Sequence, residues 1–129
     1  MPLNKPWTPY RPGDERALPG NLGVYEIGDD AGNVLYVGYA GGRTRFGLRE
    51  TIPACFDAMN PNPVLRARAR AYRYEVNQMY MTRWIDLLTR HRDAHGRPPE
   101  GNEASSEPLP RLGRLIRGPG DGGRGSAMP

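Results

Sequence analysis

The strongest constraint on this chain is a pair of β-prone runs set close together: Val24, Tyr25 and Ile27, then Val34, Leu35, Tyr36 and Val37. Between them Asp29, Asp30, Ala31, Gly32 and Asn33 supply turn chemistry, so the two runs predict a β-hairpin. Gly23 opens the first run and Gly38 closes the second. This writes Gly-x-Tyr on one strand and Tyr-x-Gly on its neighbour, with ten residues between Tyr25 and Tyr36. A short hairpin brings two such tyrosines close, and each phenol can both donate and accept a hydrogen bond.

The length of 129 residues and the hydrophobic fraction of 37% imply one compact domain with a small core and polar extensions. Residues 1–20 carry Pro2, Pro6, Pro9, Pro12 and Pro19 among polar groups and read as an irregular proline-rich arm, pinned to the domain by Trp7 and Tyr10. Residues 21–102 read as the folded domain, and residues 103–129 as a disordered basic tail rich in glycine and proline. Leu112, Leu115 and Ile116 in that tail form a small apolar segment suited to docking a protein partner.

Within the domain, Gly41 and Gly42 make a flexible loop. Phe46, Leu48, Arg49, Glu50 and Ile52 then start a helix that Pro53 must kink, end or restart, with Ala54 to Met59 as a second short helical piece. From Arg66 to Val76 the side chains alternate: Arg66, Arg68, Arg70, Tyr72, Tyr74 and Val76 fall on one side, Ala67, Ala69, Ala71, Arg73 and Glu75 on the other. Period two predicts a strand, although alanine and arginine also favour a helix over the Arg66 to Ala71 half. Met81, Trp84, Ile85 and Leu88 stand at the spacing of an amphipathic helix of about three or four turns, ended by Gly96, Pro98 and Pro99.

The formal net charge is +4, and Lys5 is the only lysine. Arginine reads phosphate in a bidentate manner, so the bias suits nucleic-acid binding, although a GC-rich genome raises arginine as well. Cys55 is the only cysteine, which excludes an intramolecular disulfide and a zinc site of paired thiols and makes the cytoplasm the expected location. No stretch approaches the roughly 18 apolar residues of a membrane span, so no membrane association is expected.

The motifs Gly23-Val24-Tyr25 and Tyr36-Val37-Gly38, their spacing and the helix that follows resemble those of the GIY-YIG endonuclease family. That family includes the incision subunit of nucleotide-excision repair and many homing and repair nucleases. The resemblance spans Leu22 to Ile52 closely and the region to Gly96 loosely. It implies an α/β fold, a small three-stranded mixed or antiparallel sheet flanked by helices. It also implies a metal-dependent endonuclease that hydrolyses DNA phosphodiester bonds. In the family the first tyrosine is the proposed general base or its relay, the second tyrosine and an arginine bind the phosphate, and a glutamate holds one divalent ion. By resemblance these roles fall on Tyr25, Tyr36, Arg49 and Glu75, with Mg²⁺ or Mn²⁺ as the ion.

Arg49 is matched through Phe46-Gly47-Leu48-Arg49, and a longer loop before the helix makes Arg45 its rival. Asp86 is the alternative carboxylate, and one carboxylate with several waters is a normal magnesium site. A late asparagine of the family finds counterparts in Asn102 or Asn77. Arg43, Arg45, Arg66, Arg68 and Arg70, with Tyr72 and Tyr74, would suit a strip that tracks a nucleic-acid backbone with stacking positions.

The same residues support plainer readings. Tyr25 and Tyr36 serve equally as hairpin packing, His91 and His95 as a solvated pair, Met79, Met81 and Trp84 as core, and Cys55 as a small buried hydrophobe. The alternative function is a catalytically inactive nucleic-acid-binding module of the same fold, and a third is a protein-interaction domain. Convergence of Tyr25, Tyr36, Arg49 and a carboxylate on one cleft would separate hydrolysis from binding.

Overall fold

The computed structural model describes residues 2–112, so most of the expected tail, with Leu115 and Ile116, lies outside the described residues. Four strands form: β1 (Thr8–Pro9), β2 (Gly23–Gly28), β3 (Val34–Ala40) and β4 (Ala71–Val76). The helices are α1 (Leu48–Ala54), α2 (Pro63–Arg68), α3 (Tyr80–His95) and α4 (Glu100–Glu103), with a 3-10 turn at Asp14–Ala17. The hairpin is β2 and β3, and its turn is held by Asp29, whose Oδ1 accepts from the backbone N–H groups of Ala31 and Asn33 at 2.9 Å each.

The sheet has the order β1-β4-β2-β3, and every pairing is antiparallel. The protein is thus α/β with four antiparallel strands, where three were expected. The fourth strand comes from residues 1–20. Thr8 lies opposite Tyr72 and Pro9 opposite Ala71, on an edge where a proline leaves no ladder bond unmade. The arm is therefore part of the fold: Leu3 and Leu18 are buried, Tyr10 stacks on Phe56 at 4.3 Å, and the Arg73 guanidinium lies 4.1 Å from the centre of the Trp7 ring. Strand alternation could not foresee this pairing, because it joins segments some sixty residues apart.

All of β2 is buried because both faces of the sheet are covered. On one face Tyr25, Ile27, Ala40 and Tyr72 pack with Leu48, Ile52, Cys55 and Leu65 from α1, α2 and the turn after α1. On the other, Val24 and Val37 pack with Leu3 and with Trp84, Leu87 and Leu88 of α3. Trp84 Nε1 donates to the Val37 carbonyl at 2.9 Å, which fixes α3 against β3. Leu112, expected to dock a partner, packs against this second cluster.

One alternative left open by the sequence is resolved, and two local expectations need correction. Arg66 and Arg68 are helical, because Asn62 caps the backbone N–H groups of Val64 and Leu65 and Pro63 opens the helix; the strand holds only Ala71–Val76. Residues 55–60 form turns, so the second helical piece starts at Pro63 and not at Ala54. Met79 and Met81 are exposed, and of that trio Trp84 alone is core.

The last short helix closes the outer edge of the sheet. Asn102 is 4% exposed, its Oδ1 accepts from the Val37 N–H at 2.8 Å, and its Nδ2 donates to the Val37 carbonyl at 2.9 Å. The side-chain amide thereby takes the place of one more strand residue beside β3, satisfying groups that a bare edge would leave open.

Candidate functional site

The motif glycines have steric reasons. Tyr25 sits opposite Gly38 in the hairpin register, and a Cβ on Gly38 would fall 2.3 Å from the Tyr25 ring. A Cβ on Gly23 would fall 2.2 Å from the Glu75 carbonyl oxygen. Gly38 therefore lets the Tyr25 ring lie across the hairpin next to Tyr36, with ring centres 6.2 Å apart and planes tilted by 41°. The two tyrosines are diagonal neighbours on one face and not a directly opposed pair, since Tyr36 stands opposite Ile27.

These rings form the floor of a cleft of about 450 Å³. Its walls come from Thr51, Ala54 and Cys55 at the end of α1, from Asn60 to Asn62 before α2, and from Ser105, Ser106 and Glu107 after α4. The Cys55 thiol lies 3.6 Å from the Tyr25 phenolic oxygen and 3.5 Å from the Thr51 carbonyl, which can share its one proton. Tyr39, at the rim, donates to Glu107 Oε2 at 2.9 Å and stacks on Tyr80.

Burial dominates the electrostatics of the floor. It pushes the Tyr25 phenol well above its ordinary value, and neighbouring Cys55 and Tyr36 add to the effect. It pushes Tyr36 up as well, with Cys55 and Glu107 reinforcing and Ser105 opposing. Cys55 is raised to about 12 by burial, against a small opposite effect of Tyr25. Around neutrality the floor is thus uncharged, with phenols and a thiol in their protonated forms.

The other sequence-derived residues stand elsewhere. Arg49 is exposed on α1, and its Nε donates to the Leu18 carbonyl at 2.9 Å, tying α1 to the segment before β2. Arg45 sits on the exposed loop with its guanidinium 6.0 Å from the Phe46 ring centre. Neither lines the cleft.

Glu75 faces the opposite side of the sheet. It stands opposite Val24, which packs on α3, whereas Tyr25 stands opposite Tyr74, and directly opposed residues share a face. Both carboxylate oxygens of Glu75 accept from Arg83, at 3.0 and 3.2 Å, and Oε2 also accepts from Asn77 Nδ2 at 3.0 Å. Asp86 is on α3 and pairs with Arg83 at 2.6 Å and Arg90 at 2.9 Å. Among the described residues no three His, Cys, Asp or Glu side chains gather in a way that could hold a metal ion. Placed across the sheet and filled by guanidinium, Glu75 and Asp86 do not fit a divalent ion serving the tyrosines.

The expected arginine strip is dispersed. Arg68 pairs with Glu100 at 2.9 Å and Asp29 at 3.6 Å, Arg70 lies 3.9 Å from Asp30, and Tyr72 is buried with its hydroxyl donating to Asp14. Arg43 and Arg66 are exposed and do not line the cleft, but each reaches a residue that does: the Arg43 charge acts on Tyr39, and Arg66 Nη1 donates to the Asn60 carbonyl at 2.7 Å. Asn77 bonds to Glu75, so of the two asparagines Asn102 is the one next to β3 and the tyrosines. The wall of Ser105, Ser106 and Glu107 carries no sequence motif and was not anticipated.

Residues 1–94 match the family described as a domain of unknown function (DUF7508). The chain belongs to that family. Neither the curated proteins nor the solved structures contain a match to it. The DUF7508 match covers β1 to most of α3 and therefore the tyrosine hairpin, while α4 and the Ser105 to Glu107 wall lie beyond it. No helix among the described residues is long and apolar enough to cross a membrane.

Proposed function

We propose that this protein is a nucleic-acid-binding module with a GIY-YIG-like hairpin, whose tyrosine cleft is a binding site and not a centre of metal-dependent hydrolysis. The observation that carries this reading is the separation of Tyr25 and Tyr36 from Glu75 and Asp86 by the thickness of the sheet. A hydrolytic centre needs a group that takes a proton from water and a cation for the developing charge. A phenol held protonated by burial is a poor proton acceptor, and the expected arginine lies outside the cleft.

Binding needs less. Exposed Arg43, Arg45 and Arg66 supply surface cations, two of them acting on residues of the cleft lining, and Phe46, 54% exposed beside Arg45, supplies a stacking surface. The net charge of +4 acts in the same sense. A cytoplasmic home belongs to the same reading, since Cys55 is a free buried thiol.

The test pairs binding with cleavage. Fluorescence anisotropy of labelled single-stranded and duplex DNA and RNA across a salt series should give an affinity that falls steeply with salt and weakens in Arg43→Ala and Arg66→Ala. Supercoiled plasmid and branched DNA with Mg²⁺ or Mn²⁺ should stay intact. Cutting that disappears in Tyr25→Phe would restore the endonuclease reading, and no affinity at low ionic strength would leave a protein-interaction domain.

A further inference from the structure

The tyrosine cleft is polar but has no cation among the described residues: of its fourteen lining residues none is lysine, arginine or histidine, and Glu107 is the one carboxylate. A phosphate entering it would meet a carboxylate with no compensating charge, which is unfavourable in a partly dry site. The chemistry suits a neutral polar ring instead. Phenol hydroxyls of Tyr25 and Tyr36 can donate to ring nitrogens or carbonyl oxygens, and the half-exposed Tyr36 ring offers a flat face. Glu107 Oε2 already accepts from Tyr39, while Oε1 has no partner among the described residues and can accept from an N–H donor.

The amides in the lining are already engaged in holding the backbone around them. Asn62 Nδ2 donates to the Gly101 carbonyl while its Oδ1 accepts from the Val64 and Leu65 N–H groups, and Asn60 Nδ2 donates to the Ala54 carbonyl while its Oδ1 accepts from the Asn62 N–H. Among the lining side chains Glu107 is the one carboxylate, and so the strongest acceptor for an N–H donor. The cations lie outside, Arg43 near Tyr39 and Arg66 on Asn60. A neutral ring inside and anions outside is the pattern of a nucleotide whose base is turned out of the stack while its flanking phosphates stay at the surface.

We infer, resting on the nucleic-acid reading above, that the cleft takes an unstacked nucleobase bearing an exocyclic amino group, which donates to Glu107 while the flanking phosphates stay at the rim with Arg43 and Arg66. Adenine, cytosine and guanine carry that amine and uracil does not. The cleft volume of about 450 Å³ falls within the ~300–1,000 Å³ of small-molecule sites.

The experiment is a titration of the full ¹⁵N-labelled chain, read at the backbone amides of Cys55, Ser106 and Glu107. The probes are adenosine, cytidine, guanosine, uridine, ribose 5-phosphate and a short single-stranded oligonucleotide. The amine-bearing nucleosides and the oligonucleotide should shift all three amides, with uridine and ribose 5-phosphate weaker by roughly tenfold or more. Glu107→Gln, which keeps an acceptor for Tyr39, should reduce that preference by about the same factor, and Ser106→Trp should block the cleft. Ribose 5-phosphate moving these amides as well as the nucleosides do would overturn the inference in favour of a phosphate site. So would an oligonucleotide that binds while the three amides stay still and Glu107→Gln has no effect, and the nucleic-acid reading would survive either result. Nucleosides that bind while oligonucleotides do not would retain the base chemistry, assign it to a free nucleoside, and end the nucleic-acid reading.

Discussion

The ring of Tyr25 lies directly over Gly38, so close that a methyl group there would sit 2.3 Å from the phenol carbon. Replacing Gly38 with alanine forces a buried aromatic ring to move, and overpacking of this kind costs about 1–3 kcal/mol. Urea unfolding of Gly38→Ala should show that loss. The Tyr25→Ala background should largely remove it, because the ring that clashes is gone. Equal costs in both backgrounds would mean that the backbone, and not the ring, demands the glycine.

Asn102 and Val37 make a second coupling across the chain, with two hydrogen bonds between residues 65 positions apart. Asn102→Ala would leave the Val37 N–H and part of its carbonyl unsatisfied in a buried place, at a cost of about 2–4 kcal/mol. Hydrogen exchange should also accelerate at the Val37 amide more than at Val24, which is bonded within the sheet. Unchanged protection at Val37 would show that another group covers that edge.

Much of this fold was readable from residue order because its strongest signals are local. The β2–β3 hairpin, with turn chemistry between two β-prone runs, forms where expected, as does α3, from Trp84 and Leu88 to Gly96. The alternation that put Glu75 opposite in sense to Tyr72 and Tyr74 also holds within β4. What it could not supply is the cross-strand register that sets Tyr74, and not Glu75, beside Tyr25. A functional carboxylate is assigned by the face it points to, and that face is a long-range property. The helix at Pro63–Arg68 had local signals in Asn62 followed by Pro63 and in the helix preference of alanine and arginine, but the period-two alternation left a strand in competition with it. The cleft wall at Ser105 to Glu107 had none, since it reaches Tyr36 only through the docking of α4.

Glu75, Arg83 and Asp86 form an ion-paired group on the α3 side of the sheet. Burial alone would raise the Glu75 carboxyl, but hydrogen bonds from Asn77 and Arg83 and the Arg83 charge hold it below its ordinary value. A carboxyl lowered in the folded state stabilises the fold above the unfolded carboxylate range, and that contribution fades as pH falls through the folded value. Glu75→Gln should therefore lower stability at pH 7 by about 1 kcal/mol, reduced by its partial exposure, and the difference from wild type should shrink toward pH 3. Its nucleic-acid affinity should equal that of the wild type. A binding or cleavage defect with stability intact would put Glu75 back at the functional site.

His91 packs against His95 with ring centres 4.3 Å apart, yet both of its own ring nitrogens are buried without a hydrogen-bond partner among the described residues. Burial, helped by the charge of His95, lowers it from 6.5 to about 4. The surrounding cleft also holds Glu26, Asp86, Asp93, Arg73 and Arg90, whose charges largely cancel in pairs with one another and with their neighbours. In the unfolded chain His91 binds a proton near pH 6.5, but in the folded chain only near pH 4, so acidification favours unfolding across that interval. Stability should fall as pH drops from about 6.5 to about 4 and stop changing on this account below it. The difference in urea midpoint between wild type and His91→Phe, followed from pH 7 to pH 4, isolates this contribution from the carboxylates, which titrate in both. A constant difference across the range would mean that His91 reaches solvent or a partner, and ¹³C-edited titration of its ring would then place its pKa near the ordinary value.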